Sequence, residues 1–280
     1  MKSFNWKTFI VGVGVALSAV FLPGCGGSNS VDDVFSFPQF EQGQPNQPAP
    51  VFSYEVLATY PHDTAAYTQG LLYANGRIYE STGLRGESSL REVDLQSGKV
   101  LRKVDNDPNV FAEGLALRAG QLYQLSLDTG VALIWNQTTF TKSATVSAPN
   151  PAWGLTHIAS TDQFVLSDGT STLRFLDSNF REVASLKVTD NGQEVSRLNE
   201  LEYVRGYIVA NLFMTDEIVA INPTTGVVSF RVDLSGIIDK QAHGLTYEDV
   251  LNGIAHDPDG TGLLVTGKRW PNLYHILITE

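Results

Sequence analysis

The chain has 280 residues and a formal net charge of -11, with 42% hydrophobic and 10% aromatic residues. That apolar content supports a buried core and excludes wholesale disorder, while the acidity excludes nucleic acid, whose phosphates need clustered Lys and Arg. Cys25 is the only cysteine, so no intramolecular disulfide can form and stability must come from packing.

The chain opens with Lys2 and Lys7 and an apolar run from Phe9 to Leu22, too short to remain as a span and therefore read as an export leader. The run ends in LPGC. Leu22, Gly24 and Cys25 resemble the bacterial lipobox, in which the cysteine is diacylated and becomes the mature N-terminus, although Pro23 is a less usual occupant. Residues 1–25 are thus expected to be a lipoprotein signal peptide and Cys25 the lipid anchor to the membrane. Gly26 and Gly27, rather than Asp, follow it, so the expected location is the bacterial cell envelope, at the outer membrane or its periplasmic face. Residues 26–50 are rich in Ser, Gln, Asn, Pro and Gly and read as a disordered tether. The remaining 51–280, about 230 residues, suit a single large all-β domain.

Strand EVLATY from Glu55 comes first in that domain, and five similar segments follow. They are QGLLYANGRIYES from Gln69, EGLALRAGQLYQL from Glu113, WGLTHIASTDQFVLS from Trp153, NELEYVRGYIVAN from Asn199 and NGIAHDPDGTGLLVTG from Asn252. Their starts lie 44, 40, 46 and 53 residues apart, the last gap stretched by an insertion around 235–250. This is the period of propeller blades. In each unit a short strand leads through a turn such as Asn75-Gly76, Ala119-Gly120 or Arg205-Gly206 into an apolar strand, and two more strands follow across turns such as Ser97-Gly98 or Thr225-Gly226. The last unit ends after its third strand, LYHILI, so strand 55–60 is expected to supply its fourth. The predicted fold is an all-β, five-bladed β-propeller of four-stranded blades, closed by the N-terminal strand. A β-sandwich or an open solenoid requires no such closure.

In a propeller the first strand of each blade lines the channel, so Gln69, Glu113, Trp153, Asn199 and Asn252 form one ring. A second ring is expected from the ends of the next strands, near Thr82, Leu127, Asp168, Phe213 and Lys268. A Glu and a Lys converging in a concavity make an acid–base pair suited to proton transfer. The histidines, His62, His157, His243, His256 and His275, lack zinc-ligand spacing and read as surface or turn residues. No metal or other cofactor is expected, and Gly83 and Gly86 open no phosphate-binding loop.

The runs PHDTAAYTQGL, YESTGLRGESSLREVDLQSGKVL, FAEGL, LYQLS, SDGTSTLRFLD, LNELEYV, VLNGIAHD and VTGKRWPNLY, in order from about Tyr60 to Ile278, resemble the plant and bacterial glutaminyl-peptide cyclotransferases, the glutamine cyclotransferase family. The resemblance implies a five-bladed propeller that turns N-terminal glutamine of peptides into pyroglutamate with release of ammonia, without catalytic zinc. It carries the essential glutamate to Glu113 and other pocket roles to Gln69, Asn199, Lys268 and Trp153, with Tyr67 and Phe111 as flanking aromatics. Glu113, Asn199 and Lys268 are expected to be catalytic, and Gln69, Tyr67, Phe111, Trp153, Phe213, Leu127 and Asn252 to bind substrate. The chain departs from the pattern at Leu127 and Phe213, where the family usually has Trp, and at Pro151-Ala152, usually Gly-Glu. The implied partners are peptides with N-terminal Gln, and a monomer is expected. Two other readings stay open: a non-catalytic envelope scaffold, and a calcium-dependent lactonase or phosphotriesterase, against which Lys268 argues because an ammonium repels a divalent ion.

Overall fold

The computed structural model describes residues 43–256 and 262–279, all within the compact unit Phe35–Glu280. The expected leader, Cys25 and most of the tether lie outside the described residues. Among the described residues the structure is all-β, without a helix.

Strand β1 spans Val51–Pro61. The first repeat unit is β2 (Thr68–Ala74), β3 (Arg77–Thr82), β4 (Ser89–Val93) and β5 (Val100–Asp105). The second is β6 (Ala112–Arg118), β7 (Gln121–Ser126), β8 (Val131–Asn136) and β9 (Lys142–Ser147), and the third is β10 (Leu155–Ile158), β11 (Gln163–Leu166), β12 (Thr172–Leu176) and β13 (Glu182–Lys187). A two-residue-strand hairpin, β14 (Thr189–Asp190) and β15 (Gln193–Glu194), leads to β16 (Leu198–Val204), β17 (Tyr207–Leu212), β18 (Glu217–Ile221) and β19 (Val228–Asp233). The chain ends in β20 (Leu251–His256), β21 (Leu263–Gly267) and β22 (Asn272–Thr279).

Units one to three each form a four-stranded sheet of consecutive neighbours. The last seven strands and β1 form one sheet in the order β16-β17-β18-β19-β1-β22-β21-β20. Strand β1 runs antiparallel to β22 from Ser53↔Thr279 to Pro61↔Asn272 and touches β19 in parallel at Val51↔Arg231. Strand β1 therefore covers the edge that β22 would expose, and ties the fourth unit to the fifth.

Three hairpins are joined by two residues that both take left-handed φ: Asn75-Gly76 (54° and 74°), Ala119-Gly120 (49° and 73°) and Arg205-Gly206 (46° and 96°). That geometry matches the twist of the paired strands and explains the tight turns. Ala119 and Arg205 accept a conformation that L-residues rarely adopt, at a cost of about 1 kcal/mol each. Side chains then alternate across each sheet. Leu71 faces the fifth unit and Leu72 the second; Leu115 faces the first and Ala116 the third.

The core is accordingly divided among the interfaces of successive units. Leu90, Leu122 and Trp135 fill the first; Phe164, Leu166 and Phe180 the second; Val165, Leu173 and Ile208 the third; Tyr207, Phe230 and Trp270 the fourth; and Leu71, Ile78 and Leu264 join the fifth unit back to the first. Each buried large aliphatic or aromatic side chain stabilises by roughly 1.5–3 kcal/mol relative to exposure. The opening strands make the same circuit: β2 touches β6 and β20, β6 touches β10, and β16 touches β10 and β20.

Residues 43–50, expected at the end of the tether, are held against the fourth unit. Ala49 N–H donates to Asp190 Oδ1 at 2.8 Å, Arg231 N–H donates to the Pro50 carbonyl at 2.9 Å, and Ala49 is buried. Polar composition points to a loose chain; the Asp190 acceptor and the Arg231 N–H donor on the β19 edge order its end.

Candidate active site

Four of the five opening strands carry a break in register where a predicted site residue sits. The shifts fall between Thr68 and Gly70, Ala112 and Leu115, Leu198 and Leu201, and Leu251 and Ile254, around Gln69, Glu113, Asn199 and Asn252. A bulge takes a residue out of the ladder and re-aims its side chain, here toward the end of the opening strand. The glycines after three of the ring residues serve close packing: a Cβ at Gly70, Gly114 or Gly154 would meet the backbone of the next opening strand. In the fourth unit Glu200 occupies that place. Its carboxylate accepts Leu71 N–H at 3.2 Å and Ile254 N–H at 2.8 Å, satisfying amides on the opening strands of both the first and the fifth units.

The result is a cavity of about 180 Å³ lined by Tyr67, Gln69, Phe111, Glu113, Leu127, Trp153, Asn199, Phe213 and Lys268. Tyr67 and Phe111 meet edge to face with centroids 6.3 Å apart, and Trp153 and Phe213 do so at 5.5 Å. The Trp153 indole lies on Gly169, where a Cβ would stand 2.5 Å from the ring. The wall is aromatic and the floor polar. Gln69, Glu113, Asn199 and Lys268 are all nearly inaccessible to water.

Gln69 Nε2 donates to Glu113 Oε1 at 2.9 Å. Burial pushes the Glu113 carboxyl well above the usual range, against the opposing pull of the Lys268 charge and the Gln69 hydrogen bond. Burial pulls Lys268 down to about 8, with Glu113 holding it up. Its ammonium lies 4.7 Å from the Tyr67 ring centre and 5.1 Å from that of Phe213, so aromatic faces replace part of its lost hydration. Burial thus draws the two titrations toward each other, the carboxyl upward and the ammonium downward, as suits a pair that accepts and donates protons.

Nine of the ten residues expected at the catalytic or binding site line this cavity. Asn252 does not: it is fully buried beneath, where its Nδ2 donates to the Thr68 carbonyl and to Gln69 Oε1 and its Oδ1 accepts from Asn199. Of the second expected ring, Thr82 bonds Ser89 and Asp168 bonds Thr170 and Arg174, both away from the cavity. Leu127, Phe213 and Lys268 do reach it.

His62, read from sequence as a surface or turn residue, is buried instead. Its Nδ1 faces the Trp270 carbonyl at 2.7 Å and its Nε2 faces Glu80 Oε1 at 3.0 Å. Burial works to lower its pKa, but Glu80 outweighs this and the net shift is upward, as two acceptors around one ring require. Glu80 also accepts from Thr68 Oγ1 at 2.7 Å, so the ion pair joins the strand bearing Gln69 to the turn bearing Lys268. The absence of zinc spacing carried no information about this role. Glu248 and Asp249, from the insertion, also act electrostatically on Lys268, and no motif in the sequence marks them. Among the described residues no three His, Cys, Asp or Glu converge as a metal site.

A family model described as glutamine cyclotransferase matches residues 34–278. The chain belongs to the glutamine cyclotransferase family. A glutaminyl-peptide cyclotransferase of Arabidopsis thaliana is 42% identical over 242 residues, covering 81% of this chain and 71% of that relative. The crystal structure of Myxococcus xanthus glutaminyl cyclase is similar with a TM-score of 0.77 at 33% identity, covering 82% of this chain and 98% of the other. The whole cavity, from Tyr67 to Lys268, falls inside the segment that matches the glutamine cyclotransferases.

Proposed function

We propose that the protein is a glutaminyl-peptide cyclotransferase that closes the N-terminal glutamine of peptides into pyroglutamate and releases ammonia. The observation that carries this reading is a buried Glu113 carboxyl, electrostatically coupled to Lys268, on the floor of an aromatic cavity of about 180 Å³. A cavity well below the roughly 300 Å³ of pockets for larger ligands suits one side chain, such as that of glutamine, with the peptide leaving through the mouth.

The α-amine of a peptide has a pKa near 8, so part of it is free base at neutrality. Its nitrogen attacks the side-chain amide carbon, forming the ring C–N bond. Glu113 takes a proton from the attacking amine and returns it to the departing nitrogen, which leaves as ammonia when the old C–N bond breaks. The raised carboxyl pKa matches both halves of that cycle. Lys268 and the Asn199 amide are the donors to the oxygen that gains charge in the transition state. Tyr67, Phe111, Trp153 and Phe213 hold the reactive rotamer and exclude water, and because attack is intramolecular, much of the acceleration comes from that positioning.

In this reading the cyclic contacts of the opening strands and the core shared at each unit interface support a five-bladed propeller with four-stranded blades. The leader and lipobox support a protein tethered to the envelope through lipidated Cys25, which predicts that Cys25→Ser releases it from membranes. The decisive test of activity is incubation of the purified protein with a Gln-initiated dipeptide while ammonia is measured. Release by the wild type and loss in Glu113→Gln are expected; no release at high peptide concentration overturns the reading and favours the scaffold.

A further inference from the structure

We propose that Asn252 is a positioning residue that fixes the direction of a chain of side-chain amides and so holds the Gln69 N–H on Glu113. This deepens the cyclotransferase reading and rests on it for its consequence in turnover.

A backbone carbonyl sets the order of this chain. Thr68 O can only accept, and Asn252 Nδ2 lies 2.9 Å from it. The nitrogen of Asn252 must therefore be on that side, which leaves its Oδ1 to accept from Asn199 Nδ2 at 2.9 Å. The second Nδ2 proton points to Gln69 Oε1 at 3.0 Å. With its oxygen so engaged, Gln69 turns its Nε2 to Glu113 Oε1 at 2.9 Å. One non-titrating acceptor thus determines, link by link, which atom each amide presents.

Burial gives this order its strength. Asn252 has no exposure, and Asn199, Gln69 and Glu113 are exposed by only 3%, 4% and 4%. Reversing any amide would set oxygen against oxygen where no water can intervene, and a buried polar group without a partner is costly. The link to Glu113 is the one that touches chemistry. An N–H donor on Oε1 favours the ionised carboxylate that must accept the amine proton, and it leaves Oε2 for the proton in transit. The link to Asn199 commits one Nδ2 proton to Asn252 and leaves the other for substrate. Asn252 touches neither substrate nor reacting atoms, so its influence passes entirely through its two neighbours.

Asn252→Asp is the discriminating variant because it keeps the shape and removes both donors. Its carboxylate cannot donate to Thr68 O or to Gln69 Oε1, so the Gln69 amide reverses and places its oxygen against Glu113. The expected result is a drop in kcat of about tenfold or more with KM changed less than about threefold. The acidic limb of the kcat profile should move up by about one pH unit. Gln69→Leu should move that limb in the same direction, as should the uncharged Asn252→Leu, and combining these two should have almost no further effect on the limb, since the path is already cut. Carboxyl 13C NMR titration of Glu113 in both proteins reads the same coupling without turnover, which separates failure of this proposal from failure of the cyclotransferase reading. Should Asn252→Asp not fold, Gln69→Leu alone must raise the Glu113 titration. An unchanged Glu113 titration in the folded Asn252→Asp protein or in Gln69→Leu, or fully additive shifts of the acidic limb, overturns the proposal.

Discussion

The Lys268 ammonium stands 4.7 Å over the centre of the Tyr67 ring, in a site where burial has brought its pKa down to about 8. The same charge acts on Glu113, whose carboxyl burial raises and Lys268 pulls back. The pH profile of kcat is therefore expected to be a bell. Its acidic limb belongs to ionisation of the raised carboxyl and its alkaline limb, near pH 8, to loss of the ammonium. Lys268→Met removes the opposing charge, so the Glu113 pKa rises further and the acidic limb moves to higher pH while the alkaline limb disappears. An acidic limb that stays in place in this variant would show that the two groups are not coupled.

Leu127 and Phe213 line the cavity together with the indole of Trp153. Leu127 has no flat face for an edge-to-face contact, and Phe213, although it meets Trp153 edge to face at 5.5 Å, lacks the indole N–H. An aromatic contact contributes roughly 0.5–1.5 kcal/mol beyond area burial, about two- to tenfold in binding. Leu127→Trp is thus expected to improve kcat/KM several-fold, chiefly through KM, because Glu113 and its partners are untouched. Steady-state kinetics with a Gln-initiated dipeptide reads this directly, and a lower kcat/KM would mean that the added ring obstructs the mouth.

The four-strand rhythm, the two-residue turns and the pairing of the first strand with the last were legible because each follows from short-range pattern: alternation of apolar residues, Gly at a turn, and an odd strand at each end. The cavity residues were legible for a related reason. Equivalent positions in a repeat converge, so Gln69, Glu113, Trp153 and Asn199 could be aligned before any contact was known. Asn252 aligned equally well yet lies below the cavity, since the repeat gives a position along the strand but not the hydrogen bonds that draw one amide inward. His62 and Glu80 are 18 residues apart in sequence and His62 meets Trp270 across 208, so nothing local marked that cluster. Glu200 was hidden because it sits where the other units have glycine, a departure whose use appears only when the amides of Leu71 and Ile254 are seen.

That use makes Glu200 a strong determinant of stability. It is fully buried and accepts one backbone N–H from the first unit and one from the fifth. Burial, with repulsion from Glu202 added, pushes its carboxyl well above the ordinary range, while the Leu71 and Ile254 N–H groups pull it back. Glu200→Ala strands both amides, and each buried donor without a partner costs about 1–3 kcal/mol. The expected loss is about 2–6 kcal/mol in urea unfolding, with Glu200→Gln falling between the variant and the wild type. A loss below about 1 kcal/mol would mean that water or a shifted strand satisfies those amides.

Glu202, two residues along the same strand, links stability to pH. Burial raises its carboxyl to about 8, outweighing the His256 N–H that donates to it at 3.2 Å. In the unfolded chain the group ionises near its ordinary pKa of about 4.3. Between that value and about 8 the unfolded state has lost a proton that the folded state still holds, so stability falls as pH rises through this window. Above it both states are ionised and the contribution levels off. Glu202→Gln removes the titration while keeping an oxygen for His256 N–H. The wild type is therefore expected to lose melting temperature from pH 5 to pH 8 more steeply than Glu202→Gln, the two curves running parallel at higher pH. Scanning calorimetry across that range measures the difference, and equal slopes for the two proteins would assign the alkaline loss to Glu200 or Glu113 instead.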